Sequence, residues 1–417
     1  MNSIVRFGIL LVAMSLVGSC TGPIPQAEIP TSLPAPETRS PQGDPTATPP
    51  PASHETSVPT VVPEANPEAT LPSAALAVCT RSAQVESQDL GLAFVADWDG
   101  DWEIYTIQAD GAGLFRLTDN KTSEADPQWS PSGDRIAFVM DFTANPRLYI
   151  STPDGSGGEF VGSDIEVSSG LTWSPLGDQV AFRSVDDLYA VDVATGLEVN
   201  LTRLTPFAPG DPGFSFDGQL VAFGANTLQD VEPNLRLLTV RADGTDLKEL
   251  EFALGDVLSH MWHPSANKIL LSSSSHTEGF ELYVVSLDGS ITNVRSASDY
   301  SPSLPAWSPD GTMIAYHAWD SPPSIEGPAR HSLRVAVDKT GIDIPVLKPP
   351  EDPQGELIIA RFSWGPDSRH IAYTARNVVE GGDTLNLYVL DICEGTTVMV
   401  AQDIASQFGT PSWRPLP

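Results

Sequence analysis

An aromatic residue followed by a tight turn recurs seven times after residue 120: Trp129-Ser130-Pro131, Trp173-Ser174-Pro175, Phe214-Ser215-Phe216, Trp262-His263-Pro264, Trp307-Ser308-Pro309, Trp364-Gly365-Pro366 and Trp413-Arg414-Pro415. The spacing of these anchors runs from 41 residues (Trp173 to Phe214) to 57 (Trp307 to Trp364). Four short strands with their turns occupy about that length, and self-similarity at such a period marks a repeat architecture.

Each anchor but the last is followed by a turn and a short apolar run: Ile136-Ala137-Phe138, Val180-Ala181-Phe182, Val221-Ala222-Phe223, Ile269-Leu270-Leu271, Ile314-Ala315-Tyr316 and Ile371-Ala372-Tyr373. A continuous apolar run, rather than an alternating one, predicts a strand covered on both faces. Sheets stacked face to face provide that cover, and the small central Ala suits their close approach. Further on come Leu148-Tyr149, Leu188-Tyr189, Leu282-Tyr283 and Leu387-Tyr388, and Asp-Gly pairs such as Asp154-Gly155, Asp243-Gly244 and Asp288-Gly289 mark hairpins. A fourth strand is clearest at Asn200-Leu201-Thr202.

Residues 91–118 carry the later strands of a unit without its anchor, and Pro411-Ser412-Trp413 carries an anchor without the later strands. One blade assembled from both segments closes the ring and removes exposed sheet edges. The expected fold is therefore all-β: a seven-bladed β-propeller of four-stranded antiparallel blades, with six blades as the alternative count. The unit resembles the TolB-like β-propeller repeat, a relative of the WD-repeat family. The match is fullest at Ala306-Trp307-Ser308-Pro309-Asp310-Gly311 through Tyr316, and weakest in the units of Phe214 and Phe216 and of His263. The resemblance covers about residues 90–415. The family's namesake has six blades and an additional N-terminal domain, so the resemblance implies a propeller and not a role in the Tol system.

Ahead of the repeats, Arg6 and the apolar stretch Phe7 to Val17 form an export signal too short to span a bilayer. Val17-Gly18-Ser19-Cys20 resembles a bacterial lipoprotein cleavage site, which implies acylation of Cys20; an ordinary cleaved signal peptide is the other reading. Residues 1–19 are thus read as signal peptide, 20–78 as the lipid-anchor Cys and a disordered linker, and 79–417 as the propeller. The linker is rich in Pro, Thr, Ser, Ala and Glu and offers almost nothing aromatic to bury, so it cannot offset the entropy of ordering. In an extended form it reaches on the order of 100 Å. Cys79 and Cys393 remain, and in an exported chain they are expected to pair as a disulfide rather than persist as two buried thiols.

With 54 acidic against 22 basic residues the net charge is −32, which repels nucleic-acid phosphates and anionic headgroups. Nucleic acid is excluded as a partner, and the membrane is met only through the anchor. The reading is of a monomer outside the cytoplasm, facing the periplasm or the cell exterior.

In a four-stranded blade the first and third turns share one face of the ring, and the second turn and the interblade connection share the other. The second face carries the long, irregular segments, and such loops on a rigid scaffold usually hold binding residues. Trp319, Asp320, Glu326, Arg330 and His331 are the binding candidates there; a merely solvated insertion is the alternative. Asp97, Asp99 and Asp101 alternate like the start of a calcium loop, so calcium is the one cofactor suggested, although no bidentate Glu follows and a polar hairpin reads as well. His260 and His263 lie three apart, which on a strand sends them to opposite faces. No nucleophile elbow, phosphate loop or zinc motif is present in the sequence. The leading expectation is a surface-displayed binding module for a protein, glycan or envelope component, not an enzyme. A glycan- or peptide-active enzyme using the central channel is the alternative, and a structural assembly factor a third reading.

Overall fold

Each apolar run becomes the second strand of a blade and is shielded on both sides, with Ala137, Ala181, Ala222, Ala315 and Ala372 fully buried at its centre. The computed structural model describes residue 79 and residues 85–203, 207–227, 236–252, 254–274, 280–295, 300–320, 331–337, 343–347, 356–379, 382–404 and 409–416. Cys20 and the linker lie outside the described residues. Seven antiparallel sheets follow one another around a ring, a seven-bladed β-propeller. A short 3-10 turn, Ser87–Asp89, precedes the first strand.

The anchors end the innermost strand of every blade. These strands are Ser412–Trp413 in blade 1, Ala125–Trp129 in blade 2, Ser169–Trp173 in blade 3, Gly213–Phe214 in blade 4, Val257–Trp262 in blade 5, Tyr300–Trp307 in blade 6 and Glu356–Trp364 in blade 7. In blade 4 the inner strand is split, and Phe207–Pro209 pairs with the same neighbour, Leu220–Thr227. After the anchor the chain reverses in a tight turn whose fourth residue needs a left-handed backbone. Gly133 and Gly311 take φ of 69° and 71° there, which a side chain would resist. The Ser after the anchor ties the turn from inside: the Ser308 hydroxyl donates to Asp310 Oδ1 at 2.6 Å and accepts from the Met313 amide at 2.9 Å. Phe138 opposite Tyr149, Phe182 opposite Tyr189 and Tyr373 opposite Tyr388 repeat one cross-strand aromatic pair between the second and third strands, with ring centroids 5.1 to 6.0 Å apart.

The anchors also join blade to blade. The indole N–H of Trp173 donates to the Gln128 carbonyl at 3.0 Å, that of Trp262 to Gly213 at 2.9 Å, that of Trp364 to Ala306 at 3.1 Å and that of Trp413 to Ser363 at 3.1 Å. The acceptor in each case is the residue just before the preceding blade's anchor, so each clasp holds two neighbouring inner strands in fixed register. Phe214 has no N–H to give. Trp129 and Trp307 have one, and in both it is buried without a partner. The residue after the preceding anchor accounts for the difference. Where it is small (Ser130, Ser215, Ser308 or Gly365), the next Trp makes its clasp. Where it is large, its side chain occupies the seam: Arg414 lies over the Trp129 ring at 5.2 Å, and the His263 ring stands edge-on to Trp307 at 4.7 Å.

Blade 1 closes the ring. Ser412–Trp413 pairs antiparallel with Gly91–Ala96, Trp413 opposite Leu92 and Ser412 opposite Ala93, and the Arg414 amide donates to the Gly91 carbonyl at 2.8 Å. The strands Glu103–Gln108 and Phe115–Arg116 complete that sheet. Two ties reach blade 7 from the same region. Cys79 is disulfide-bonded to Cys393, 314 residues away, and the Trp98 indole N–H donates to the Gln402 carbonyl at 2.9 Å.

Replacing Trp413 with Ala removes both the closing anchor and its clasp. The loss should be about 3–5 kcal/mol, the usual penalty for deleting a buried aromatic, read as a lower urea midpoint. His263→Ser frees the seam between blades 5 and 6. Slower hydrogen exchange at the Trp307 indole, followed by NMR of the 15N-labelled chain, is the expected result; an unchanged rate would mean that side-chain size does not control the clasp.

Candidate functional site

Seven inner strands around one axis place their outward-bending residues in a shared channel, and the sequence bends them in nearly every blade. The pairing of the inner strand with the second strand slips between Ala125 and Gln128, Ser169 and Thr172, Val257 and Ser259, Ser303 and Ala306, and Ile359 and Arg361. A bulge re-aims side chains that a regular strand would hold against the sheet. Asp126 and Leu304 take left-handed φ of 53° and 48° at these bulges, a costly backbone for residues with a side chain.

The wall formed by blades 2 to 5 is polar. Asp126 Oδ2 accepts the Leu171 amide at 2.9 Å, and its Oδ1 accepts from the Gln128 amide group at 3.3 Å. Asp211 accepts the Ser169 hydroxyl at 2.7 Å, with Arg183 Nε 3.5 Å away. Gly170 lies against Asp211, and a Cβ there would stand 2.7 Å from it. His260 Nε2 lies 3.1 Å from the Ala222 carbonyl. Burial pushes the Asp126 carboxyl upward, with Asp211 adding to it, and the Leu171 amide and the Arg361 charge oppose the shift. Burial likewise lowers His260, which favours the neutral ring.

The wall formed by blades 5 to 7 opens into a cavity of about 510 Å³ beside the Trp-Ser-Pro turns. Inner-strand residues of blades 5, 6 and 7 line it, from Ser259 through Trp307 to Arg361, together with Thr410 just ahead of the inner strand of blade 1, which puts it on the channel side of the ring. Met261 and Leu304 are 41% and 44% exposed there, unusual for large apolar side chains on inner strands. Two of the lining residues also bury a polar atom that lacks a hydrogen-bond partner, Trp307 Nε1 and Ser259 Oγ, away from the cavity surface. Arg361 also lines the cavity, and its charge acts on Asp126. The cavity thus coincides with the seam where His263 prevents the clasp.

The sequence candidates fare differently. Trp319 and Asp320 close the second strand of blade 6 and His331 opens the third, with Trp319 opposite His331, so the backbone places them at the second turn as expected. Glu326 and Arg330 lie outside the described residues. Asp97, Asp99 and Asp101 do not assemble a cation cage: Asp99 is 2.6 Å from Arg116, and Asp97 accepts the Gly100 amide through its backbone carbonyl as an ordinary turn. Among the described residues no group of three His, Cys, Asp or Glu side chains is placed to hold a metal ion. His260 and His263 diverge, the first toward Ala222 in blade 4 and the second toward Gly311 in blade 6. The channel residues Asp126, Asp211, Met261, Leu304 and Arg361 had no marker in the sequence except their place just before an anchor, where an alternating strand pattern is interrupted.

Comparison with known proteins agrees with this architecture. The model of the TolB beta propeller domain matches residues 86–266. An uncharacterised protein of Agrobacterium fabrum (strain C58) is 28% identical over 143 residues, 32% of this chain and 47% of that protein, so the chain spans about half the length of this curated relative. Among solved structures, an oligogalacturonate lyase in complex with manganese superposes with a TM-score of 0.56 at 15% identity, covering 76% of this chain and 85% of that one. A structure from an analysis of two prolyl endopeptidases gives 0.55 at 13% identity, covering 79% and 52%. At such identities the likeness is one of fold alone. Residues 86–266 are thus similar to the TolB beta propeller domain, and the blades beyond residue 266 continue the ring as further antiparallel sheets.

Proposed function

We propose that this protein is an extracytoplasmic binding module, held to a membrane through Cys20, that takes part of a protein, glycan or envelope component into the channel beside blades 5 to 7. The observation that carries this reading is the cavity itself. It pairs exposed apolar surface on Met261 and Leu304 with a cation, Arg361. Covering apolar surface is favourable and a single charge orients what covers it, so a ligand that supplied both contacts would be held there. The ligand that fits has an apolar body and an anionic or carbonyl group. The rest of this acidic chain repels anions at long range, so contact with Arg361 would select them locally.

An anionic aromatic dye, anilinonaphthalene sulfonate, is the probe for this site. The native chain should bind it with one strong site that is lost on thermal unfolding. Arg361→Ala and Leu304→Trp, which remove the charge and fill the space, should each weaken binding by about tenfold, on the order of 1.4 kcal/mol, with the unfolding temperature unchanged. Dye binding untouched by either substitution would contradict the assignment. Attachment through Cys20 is tested separately: labelled palmitate should enter the wild-type chain and not Cys20→Ser.

A second reading, an enzyme acting in the channel, has one observation in its favour. Asp126 and His260 are both driven by burial toward their neutral forms, which suits groups that exchange protons with a substrate. Under that reading Asp126→Asn would abolish turnover of a glycan or peptide substrate without weakening the dye site.

A further inference from the structure

The seam between blades 1 and 2 is one of the two that bury an unpaired anchor indole, and a different interaction spans it on the opposite face. Glu103 opens the third strand of blade 1, and Glu124 stands immediately before the inner strand of blade 2. Both side chains are fully buried, at 0% exposure. Glu103 Oε1 accepts Arg116 Nη2 at 2.9 Å and the Asn120 amide at 3.0 Å. Glu124 Oε1 accepts the Thr122 hydroxyl at 2.8 Å and the Asn120 side-chain amide at 3.2 Å. The second oxygen of each, Oε2, is buried and receives no donor from any other residue.

Asn120 gathers the two carboxyl groups at one buried site, its backbone amide on Glu103 and its side-chain amide on Glu124. Two ionised carboxylates are acceptors only and cannot bond one another. One proton between them resolves the conflict, since it gives one Oε2 a hydrogen to donate and the other something to accept. Glu103 already faces the Arg116 cation, whereas Glu124 has only neutral donors from Thr122 and Asn120. The proton therefore belongs on Glu124. The other charged groups near the pair are Asp99 and Asp119, both turned to Arg116, at 2.6 and 3.3 Å. Tyr105, beyond them, is held neutral chiefly by burial.

We propose that a proton shared by Glu103 and Glu124 latches blade 1 to blade 2, and that its loss in mildly alkaline solution loosens this seam. The same contact fixes the interblade connection: the Glu124 amide donates to the Trp102 carbonyl at 2.6 Å, and the Phe142 amide to the Ser123 carbonyl at 2.7 Å. Burial, reinforced by the Glu103 carboxyl, pushes Glu124 from 4.5 up to about 8. A carboxyl that binds its proton more tightly when folded stabilises the fold fully below 4.5, and that contribution declines as pH rises until it is gone above about 8.

The test is thermal unfolding of the full chain between about pH 5.5 and pH 9, paired with hydrogen exchange of peptides spanning residues 117–125, corrected for intrinsic rates. The wild-type unfolding temperature should fall by on the order of 5 °C across that window, and the 117–125 peptides should lose protection while blade 5 does not. In Glu124→Gln a permanent amide donor replaces the proton, and both changes should vanish. An equal fall in Glu124→Gln would overturn the proposal. So would a divalent cation that restored the wild type alone at the alkaline end, because a metal and not a proton would then bridge the pair. Should Glu124→Gln fold poorly, the wild-type infrared band of a buried protonated carboxyl still decides: it should disappear across the same range, and its absence throughout would refute the shared proton.

Discussion

Pairing between Ser412–Trp413 and Gly91–Ala96 is the contact on which the rest of the ring depends. A row of blades in a repeat protein touches only its neighbours, and an open row leaves two terminal faces exposed. Here the innermost strand of blade 1 comes from the far end of the sequence, so those faces meet. The apolar clusters on either side show the result. Leu92, Phe94 and Trp413 of blade 1 pack with Ala372, Leu387 and Val389 of blade 7, while Ala93, Val95 and Ile104 of blade 1 pack with Ile136 and Phe138 of blade 2. Blade 1 thus has a buried neighbour on both sides, and Cys79–Cys393 adds a covalent tie to the blade 7 side.

Closure does not make the seams equivalent. A small residue after the anchor lets the next indole clasp the preceding strand, and a large one blocks it. The chain places Arg414 and His263 at two seams, and these have separate consequences. At the first, Arg414 Nε donates to the Gly133 carbonyl at 3.1 Å, and the Trp129 backbone amide donates to the Ser412 hydroxyl at 3.0 Å. At the second, the inner strands border the channel cavity, with Met261 and Leu304 left exposed. Single residues at an otherwise repeated position thus make the seams of the ring unequal.

The fold was legible because its signals repeat. Trp-Ser-Pro anchors, apolar second strands and Asp-Gly hairpins each recur often enough that weak copies such as Phe214 and His263 are assigned by register. The pairing of Cys79 with Cys393 was expected from their number and the exported character of the chain, and the structure joins them. The channel was not legible. Bulges at Asp126 and Leu304 depend on pairing with a neighbouring strand, which no local pattern records, whereas the irregular loops around Trp319 and His331 stand out in the sequence by their length and composition. The alternation of Asp97, Asp99 and Asp101 suggested a cation, but Arg116, distant in the hairpin, engages Asp99. The carboxyl pair of Glu103 and Glu124 was hidden for the same reason: its partners belong to different blades and meet only when the ring is assembled.

If closure couples the seven blades, they should unfold as one unit. Native-state hydrogen exchange of the central strands, followed by mass spectrometry in increasing denaturant, measures this directly. The account predicts a single opening free energy shared by Gly91–Ala96, Leu220–Thr227 and His370–Val379. Separate openings, with blade 4 or blade 7 outlasting a blade 1 that has already detached, would contradict it.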